Sequence, residues 1–428
     1  MLGKKKIYLD HAGATPIDKR VARTVAFYER KLFANPNAIH EDGVKVRGII
    51  EEARSKIAKQ MNAHSDEIIF TGSGTESIAL ALLGLIKNYE PASAQGGLRI
   101  KNEKSEYKIP HIITTEIEHP AVLENCKMLK KEGRVEVTYI GVDENGIINL
   151  EELKNSLKEN TVLVSVMYAN NEIGTIEPIQ EIAKIIRHFK KSKMSRSDLD
   201  TRVFSSDFPV FHTDACQAMN YLFTENIEKL GVDLMSFNSS KIYGPKGIGV
   251  LYKKRGVELS PLYGGGGQEF GLRSGTESVS LIKGVAMALG IVNKMKEKES
   301  KRLTAIRDYG IKKLLSLSDT SGYKIILNGD VEVRLPNNIN ISVSGISSEL
   351  LVIELSARGI FVSEKSACKS DDDSASYVIG ALRRASQKNV AGTDGSIRIS
   401  LGRCNKMSDM DVLYKGLKDI LEKYKKWK

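Results

Sequence analysis

The first strand–turn–helix unit of the chain reads Glu67-Ile-Ile-Phe-Thr-Gly-Ser-Gly-Thr-Glu-Ser77, in which a short apolar run is followed by a glycine turn and an apolar helix. This order is repeated along the chain, where short β-branched runs alternate with amphipathic stretches. Candidate strands of the first 260 residues lie at 67–71, 111–115, 135–140, 162–168, 210–214, 234–237 and 247–252. The alternation predicts an α/β fold with a mostly parallel seven-stranded sheet and helices on both faces.

The helical stretches differ before and after residue 280. Residues 178–190 place their apolar side chains on one stripe, which predicts an amphipathic helix. Residues 280–315 predict a long, charge-rich helix. It is followed by candidate strands at 340–343, 360–363 and 397–401, which predict a smaller α/β unit at the C-terminal end.

The change of pattern predicts two domains. We expect a large domain over 17–295 and a small domain made of 1–16 together with 296–428. Two polar, aperiodic segments, 90–108 and 191–209, predict surface loops.

Composition excludes several classes of protein. The 428 residues are 41% hydrophobic and 27% charged, which is typical of a globular protein and not of a disordered or fibrous one. The longest apolar stretch, 78–86, is shorter than the roughly 20 residues that cross a bilayer. We therefore expect a cytoplasmic protein without membrane association.

The net charge of +11 has two interpretations. Lysine-rich faces at 184–193 and 415–428 are either simply solvated or weakly attractive to RNA or an acidic protein. The scattered excess favours the first interpretation, and we expect no direct binding of nucleic acid.

The four cysteines are Cys126, Cys216, Cys368 and Cys404. Their wide spacing, without a Cys-x-x-Cys pair or a nearby histidine cluster, favours neither a disulfide framework nor a resident metal site. Cys126 and Cys216 have apolar neighbours, which is typical of small buried residues.

The glycine turn at 72–74 precedes a helix. Free backbone N–H groups at such a helix start form an anion site, and Thr75 could add a hydroxyl donor. An ordinary tight β–α turn has the same pattern.

Asp214 ends a candidate strand and is followed by Gln217. A carboxylate at the carboxyl end of a parallel strand lies in the crevice where such sheets bind ligands. The alternative interpretation is a helix N-cap, a position that aspartate favours.

Lys241 lies in Ser236-Phe-Asn-Ser-Ser-Lys-Ile-Tyr-Gly-Pro-Lys-Gly247, shortly after a candidate strand. This placement could remove water from its amine, which a nucleophilic lysine requires. Lys246 is the rival, but it lies within a Pro-Lys-Gly turn where exposure is expected.

Cys368 follows a candidate strand, in Ser363-Glu-Lys-Ser-Ala-Cys-Lys-Ser-Asp-Asp-Asp-Ser374. A polar loop is an unusual place for a core cysteine. A free thiol has a pKa of about 8.5, and the ammonium groups of Lys365 and Lys369 favour the thiolate, whereas the three aspartates oppose it.

These motifs together resemble the cysteine desulfurases of the class V aminotransferase group, which are fold-type I pyridoxal-phosphate enzymes. The resemblance covers nearly the whole chain. Its landmarks are Tyr8-Leu-Asp-His-Ala-Gly-Ala-Thr-Pro16, Asn35-Pro-Asn-Ala-Ile-His40, Glu118-His119, Asn170-Asn-Glu-Ile-Gly174, Asp214-Ala-Cys-Gln217, Lys241-Ile-Tyr-Gly-Pro-Lys-Gly247, Gly264-Gly-Gly-Gly-Gln-Glu269, Arg273-Ser-Gly-Thr276, Ser366-Ala-Cys368 and Ser396-Ile-Arg-Ile-Ser-Leu-Gly402.

The resemblance implies roles around the cofactor ring. Lys241 would hold the cofactor covalently, and Asp214 would keep the pyridine nitrogen protonated, so that the ring acts as an electron sink. Gln217 would bind the phenolic oxygen. His119 would stack on the ring and move protons.

The resemblance also implies a phosphate site. Gly74, Thr75, Asn238 and Ser240 would hold the phosphate, and Thr276 would be added from the second subunit of a homodimer.

The remaining implied roles concern the substrate. Arg398 and Asn171 would fix the carboxylate of L-cysteine, and Asn171 is also an expected cofactor contact. Cys368 would attack the substrate sulfur, which leaves L-alanine and an enzyme persulfide. Cys368 is further a candidate transient ligand of an iron–sulfur cluster.

Three departures from the family pattern concern cofactor retention and the cysteine loop. Ser240 stands where the family usually has histidine, which predicts weaker cofactor retention. Lys365 replaces the glycine before Ser-Ala-Cys, and 369–373 replace a run of small residues. The spacing from Cys368 to Ser376-Tyr377 suits the branch of the family with a long loop.

The sequence therefore predicts a homodimeric cysteine desulfurase that passes sulfur to an iron–sulfur scaffold or a tRNA thiolase. The alternatives are a selenocysteine lyase or another aminotransferase-type enzyme, and a non-catalytic binding protein on the same fold. Cys368 argues against an aminotransferase. The joint presence of Lys241, Asp214, His119 and Arg398 argues against a non-catalytic protein.

Overall fold

The computed structural model describes residues 6–88, 109–193, 208–364, 376–386 and 395–425. The helices are α1 (Lys19–Lys31), α2 (Glu41–Met61), α3 (Gly74–Lys87), α4 (Pro120–Lys131), α5 (Leu150–Ser156), α6 (Ile179–Lys193), α7 (Ile227–Leu230), α8 (Val279–Ser321), α9 (Ser348–Ala357), α10 (Tyr377–Ser386) and α11 (Met407–Lys425). The strands are β1 (Ile7–Tyr8), β2 (Ile68–Thr71), β3 (His111–Thr115), β4 (Glu136–Ile140), β5 (Thr161–Ser165), β6 (Val210–Asp214), β7 (Leu234–Asn238), β8 (Gly249–Lys253), β9 (Ile325–Leu327), β10 (Asn338–Val343), β11 (Ile360–Phe361), β12 (Ser363–Glu364) and β13 (Ile397–Ser400).

The central sheet has seven strands in the order β2-β8-β7-β6-β5-β3-β4. All pairs are parallel except those of β8, which runs antiparallel to β2 and β7. Strands β3, β5 and β6 are buried at every residue, as expected for strands covered on both faces. The predicted seven-stranded, mostly parallel sheet is confirmed, and each predicted strand overlaps an observed one.

Helices cover both faces of this sheet. One face packs against α2, α6 and α8 through side chains that include Ile57, Ile182 and Val285. The other packs against α3 and α4 through Leu82 and Cys126. The amphipathic pattern of 178–190 is therefore confirmed as a core-facing helix.

Helix α8 connects the central sheet to a second sheet. Its first half contributes Ile282 to the core of the central sheet, and its second half contributes Leu303 to a separate core. That second core surrounds a four-stranded antiparallel sheet in the order β12-β13-β10-β9. Ile7 and Leu9 also belong to it, because β1 pairs in parallel with β11.

The predicted loops differ from the structure in one place. Helix α6 continues to Lys193, where the lysine Nζ donates to the carbonyl of Glu159 at 2.8 Å. The first three residues of the predicted loop 191–209 are therefore helical. Residues 194–207 and the predicted loop 90–108 lie outside the described residues. No described helix is long and apolar enough to cross a membrane.

Candidate active site

The expected site residues come together at one edge of the central sheet. Asp214 and Asn238 end β6 and β7, and Gly74 begins α3 just after β2. His119 follows β3, and Asn171 follows β5. The carboxyl ends of parallel strands share one edge, so the topology itself assembles these residues.

Lys241 ends a short 3₁₀ turn, Ser239–Lys241, directly after β7. Its Nζ atom donates to the carbonyl oxygen of Ala12 at 2.9 Å and to that of Gly13. Burial lowers the pKa of Lys241 below its ordinary value of 10.5. Lys246, in contrast, is exposed in the next turn. The lysine with the more nucleophilic environment is therefore Lys241.

Asp214 is buried, and its Oδ1 atom accepts from the backbone N–H of Cys216 at 2.9 Å. The chain after Asp214 forms turns instead of a helix, so the alternative of a helix N-cap is wrong. Gln217 donates from Nε2 to the carbonyl of Ala12 at 3.1 Å. Ala12 is therefore contacted by both Gln217 and Lys241.

The start of α3 is closely packed against β7. Ser73 caps the helix by accepting from the N–H of Glu76 at 3.0 Å. A Cβ atom on Gly74 would lie 3.0 Å from Sγ of Cys216 and 3.1 Å from Cβ of Asn238. Glycine at this position thus keeps the helix start beside Asn238, whose Oδ1 accepts from the N–H of Ser240 at 2.9 Å.

Two threonines of the expected phosphate site, Thr75 and Thr276, are exposed. Thr75 lies in the first turn of α3, next to Gly74. Thr276 lies just before α8. Both residues are therefore on the surface of the chain.

His119 caps helix α4. Its Nδ1 atom accepts from the N–H of Ala121 at 3.1 Å, which fixes the orientation of the ring. The neighbouring Glu118 is fully buried, and its Oε1 accepts from Thr115 at 2.9 Å and from the N–H of Met167 at 2.8 Å. Burial raises the pKa of Glu118 well above its usual range.

Arg398, on β13, is buried, and both of its terminal nitrogens donate hydrogen bonds. Nη2 donates to Oδ1 of Asp10 at 2.8 Å, and Nη1 donates to the backbone carbonyl of Asn171 at 3.0 Å. The Nε atom of Arg398 and the Oδ1 atom of Asn171 are buried without a hydrogen-bond partner among the described residues. Such unpaired buried groups are costly unless a ligand or water satisfies them.

Cys368 lies outside the described residues, and only the flanking chain can be placed. On one side, Ser363 of β12 lies opposite Arg398 of β13. On the other, Ser376 donates to Glu172 at 2.5 Å, and the hydroxyl of Tyr377 donates to the carbonyl of Glu118 at 2.6 Å. Both flanks are thus fixed beside expected site residues.

The described cysteines have different surroundings. Cys126 is buried, which raises its pKa to about 12. Burial, and secondarily Asp214, raises the pKa of Cys216 well above its usual range. Cys404 is exposed. Among the residues that the structure describes, no group of histidine, cysteine, aspartate or glutamate could hold a metal ion.

Residues 10–13 also belong to the site, although no motif in the sequence predicts a role for them. Asp10 contacts Arg398, and the carbonyls of Ala12 and Gly13 contact Lys241. Residues close to the N-terminal end of the chain reach the site because β1 pairs with β11 and Asp10 forms a bridge with Ser400 on β13. The sequence feature that could have indicated this part of the site is the polar Asp10-His11 pair, which directly follows an apolar strand-like run.

Known proteins resemble this chain over nearly its full length. The family model for class V aminotransferases matches residues 7–195 and 202–413. The chain belongs to the class V aminotransferase family. The cysteine desulfurase IscS of Dictyoglomus turgidum is 39% identical over 421 residues, which cover 98% of this chain and 95% of that protein.

Solved structures of the family have the same fold. A NifS-like protein superposes with a TM-score of 0.81 at 33% identity and covers 97% of this chain and 99% of its own. The structure of SspA in complex with cysteine has a TM-score of 0.71 at 29% identity, with 93% of this chain and 99% of the other covered. The predicted fold-type I architecture and the predicted family are confirmed.

Pyridoxal phosphate is the cofactor of this family, and the residues at the sheet edge fit it. Lys241 is an amine whose pKa is lowered by burial. Asp214 is a buried carboxylate at a strand end, and Gly74 begins a 14-residue helix whose N–H groups suit a phosphate. The cofactor prediction is therefore confirmed at the level of the family.

Proposed function

We propose that this protein is a cysteine desulfurase, which removes sulfur from L-cysteine to give L-alanine and a persulfide on Cys368. The observation that carries the proposal is the placement of Lys241, Asp214 and Arg398 around one edge of the sheet, beside the flanks of the Cys368 segment. A cofactor lysine, a ring carboxylate and a carboxylate-binding arginine are the groups that amino-acid chemistry on this cofactor needs.

The residues around the ring have separate tasks. The cofactor supplies an electron sink for the bonds at the substrate Cα. Asp214 would accept the hydrogen bond of the protonated ring nitrogen, and Gln217 would bind the phenolic oxygen. Lys241 would hold the cofactor through its Nζ amine. Its lowered pKa increases the fraction of neutral amine, which is the nucleophilic form.

His119 moves protons at the substrate. Its Nδ1 atom accepts a hydrogen bond from the N–H of Ala121, so the start of α4 orients the ring. An imidazole has a usual pKa near 6.5 and can exchange protons at neutral pH.

The phosphate would be held by Gly74, Thr75, Asn238 and Ser240 and by Thr276 of a second subunit. The exposed position of Thr276 supports this arrangement. Phe33 and Ile39, in the connection between α1 and α2, are 81% and 95% exposed. Large apolar side chains left in water are typical of an interface, and we propose that the homodimer buries them.

Arg398 and Asn171 bind the substrate carboxylate. The unpaired Nε of Arg398 supports this role, because a carboxylate in this corner would accept its hydrogen bond. Asn171 would donate from its side-chain amide, since its unpaired Oδ1 is itself an acceptor and cannot bind a carboxylate. Cys368 then attacks the substrate sulfur. The new S–S bond forms as the C–S bond breaks, and the sulfur stays on Cys368 as the persulfide. The electron pair of the broken C–S bond stays on the substrate carbon, which takes up a proton to give alanine.

The persulfide passes to an acceptor protein, an iron–sulfur scaffold or a tRNA thiolase, in the cytoplasm. The division into a large domain over 17–295 and a small domain of 1–16 and 296–428 also stays a prediction. It is supported by the two separate cores and by the pairing of β1 with β11.

The test is to supply the purified protein with L-cysteine and a reducing thiol and to measure alanine. We expect alanine and sulfide in equal amounts and, when the reducing thiol is omitted, a persulfide label on the peptide that contains Cys368. Selenocysteine and other amino acids serve as alternative substrates. A protein that transaminates them and releases no alanine from cysteine would be an aminotransferase, and one that binds the cofactor without turnover would be a non-catalytic relative.

A further inference from the structure

The segment 263–276, which ends in Thr276, is fixed to its own subunit by a buried ion pair. Glu269 accepts from both terminal nitrogens of Arg54 at 2.8 Å each, and its Oε2 also accepts from the N–H of Phe70 at 2.7 Å. The side chains of Arg54 and Glu269 are 3% and 1% exposed. Arg54 further donates to the carbonyl of Ile68 at 2.6 Å. Charged, two-pronged contacts of this kind fix geometry as well as adding energy.

The backbone at this ion pair is held in an unfavourable conformation. Glu269 has a φ of 49° and Phe270 a φ of 59°, in the left-handed region that residues other than glycine rarely adopt. The guanidinium of Arg54 lies 4.8 Å from the ring centre of Phe70 and 5.0 Å from that of Phe270. Strained residues persist only where the surroundings over-determine them, and they cluster at functional sites.

Hydrogen bonds also fix the residues between Glu269 and Thr276. The N–H of Gly275 donates to the side chain of Gln268 at 3.1 Å, and Ser274 donates to the carbonyl of Gly266 at 2.8 Å. Arg273 donates to Glu76 at 3.0 Å. The three residues before Thr276 are therefore all held, while Thr276 itself stays exposed.

We propose that Glu269 is a positioning residue for the cofactor phosphate bound by the partner subunit. Glu269 holds the segment in the one conformation in which Thr276 can reach that phosphate. This inference rests on the proposed dimeric, cofactor-dependent function. A binding group is effective only when it lies within about 0.5 Å of its productive position. A buried support such as Glu269 gives Thr276 that precision, even though the backbone there is strained.

The first test compares pyridoxal phosphate with pyridoxal, which lacks the phosphate. Glu269→Gln should weaken the binding of pyridoxal phosphate roughly tenfold, the loss of one charge-assisted hydrogen bond, and leave the binding of pyridoxal unchanged. The double change Arg54→Met with Glu269→Leu should do the same without an unpaired buried charge. Asp66→Asn, at the exposed two-pronged pair with Arg255, is the control and should change neither.

An equal loss of affinity for both compounds, or no loss for either, would overturn the positioning role. A residue that only stabilises the fold would affect the two compounds alike, whether or not they carry a phosphate. If the wild-type protein itself binds pyridoxal phosphate no more tightly than pyridoxal, the proposed function fails first and the inference falls with it.

The second test uses mixed dimers of Lys241→Ala and Glu269→Gln subunits. The visible absorbance of lysine-bound cofactor reports only the site with Lys241, and that site receives Thr276 from the subunit with intact Glu269. Its affinity for the cofactor should therefore return to the wild-type value. A wild-type subunit paired with one that carries both changes should instead bind weakly. The opposite pattern would show that Glu269 acts within its own subunit and would overturn the proposal.

Discussion

The carboxylate of Asp10 accepts a hydrogen bond from Nη2 of Arg398 at 2.8 Å, in the corner where the substrate carboxylate is proposed to bind. The other terminal nitrogen is bonded to a backbone carbonyl, and Nε has no exposed surface. The Nε–Nη2 edge of the guanidinium could make a two-pronged contact with a carboxylate, but Asp10 occupies Nη2. A substrate carboxylate that pairs with both atoms therefore has to take the place of Asp10.

Asp10→Asn should therefore lower the Michaelis constant for cysteine roughly three- to tenfold, because a neutral amide competes less well than a carboxylate for Arg398. Steady-state kinetics with L-cysteine measure this change. Asp18→Asn is the matched control, since Asp18 pairs with Arg403 at 3.0 Å and has no contact with Arg398 among the described residues. A higher Michaelis constant would show that Asp10 orients Arg398 instead of competing for it.

Ser240→His should improve cofactor retention. Ser240 lies between Asn238 and Lys241, so a histidine there would add a charge-capable donor beside the proposed phosphate. A charge-assisted hydrogen bond is worth about 1.5–3 kcal/mol, which predicts at least a tenfold slower loss of cofactor on dialysis. Ser316→His, at an exposed position of α8, should have no effect. Equal or faster loss from the Ser240 variant would remove this residue from the phosphate site.

Lys241→Ala should abolish the visible absorbance of bound cofactor, while Lys246→Ala should retain it. The pKa of Lys241 is lowered by burial, so its neutral amine is present at lower pH than that of an ordinary lysine with a pKa of 10.5. Reloading of the cofactor-free protein should accordingly reach half of its maximal rate below pH 10.5. Bleaching by the Lys246 change alone would reverse the assignment.

His212 should make the protein less stable in acid. It is fully buried between Ser165 and Ser236, and burial lowers its pKa from 6.5 to about 4. The unfolded chain then binds a proton that the folded protein does not, so stability is lost as the pH falls from about 6.5 towards 4. The loss is on the order of 3 kcal/mol for this group. Thermal unfolding of His212→Gln should depend less on pH in this range, while His188→Gln, at an exposed position, should behave like the wild type.

The central sheet could be predicted because each of its buried strands is a local apolar run bounded by turn residues. The roles of Lys241, Asp214 and Arg398 were available from the motifs that resemble the family. Asp214 also fits a helix N-cap in the sequence, because aspartate often begins helices. The turns that follow it in the structure are stabilised by tertiary contacts such as that of Gln217 with Ala12.

Asp10 and the ion pair of Arg54 with Glu269 could not be predicted, because their partners are far apart in the sequence. Asp10 and Arg398 are separated by 388 positions, and Arg54 and Glu269 by 215. A charged residue within a helix such as α2 is usually solvated, and nothing local marks Arg54 as buried. Strand β1 has only two residues, too few for a periodic pattern.

Cys368→Ser should separate the two halves of the proposed reaction. Binding cysteine and moving its α-proton need Lys241, Asp214 and His119 but no thiol. Removing the sulfur needs a nucleophile, and a serine hydroxyl is scarcely ionised at neutral pH, whereas even an unperturbed thiol is a few per cent thiolate. The variant should keep its colour and its spectral change on addition of cysteine, yet release no alanine.

The other thiols provide the controls for this experiment. Cys404→Ser alters an exposed cysteine and should leave alanine release unchanged, and the raised pKa values of Cys126 and Cys216 make both poor nucleophiles. Persulfide on the wild-type protein should map to the peptide with Cys368 alone. Normal alanine production by Cys368→Ser would falsify the desulfurase mechanism and favour a lyase that expels sulfur without a protein thiol.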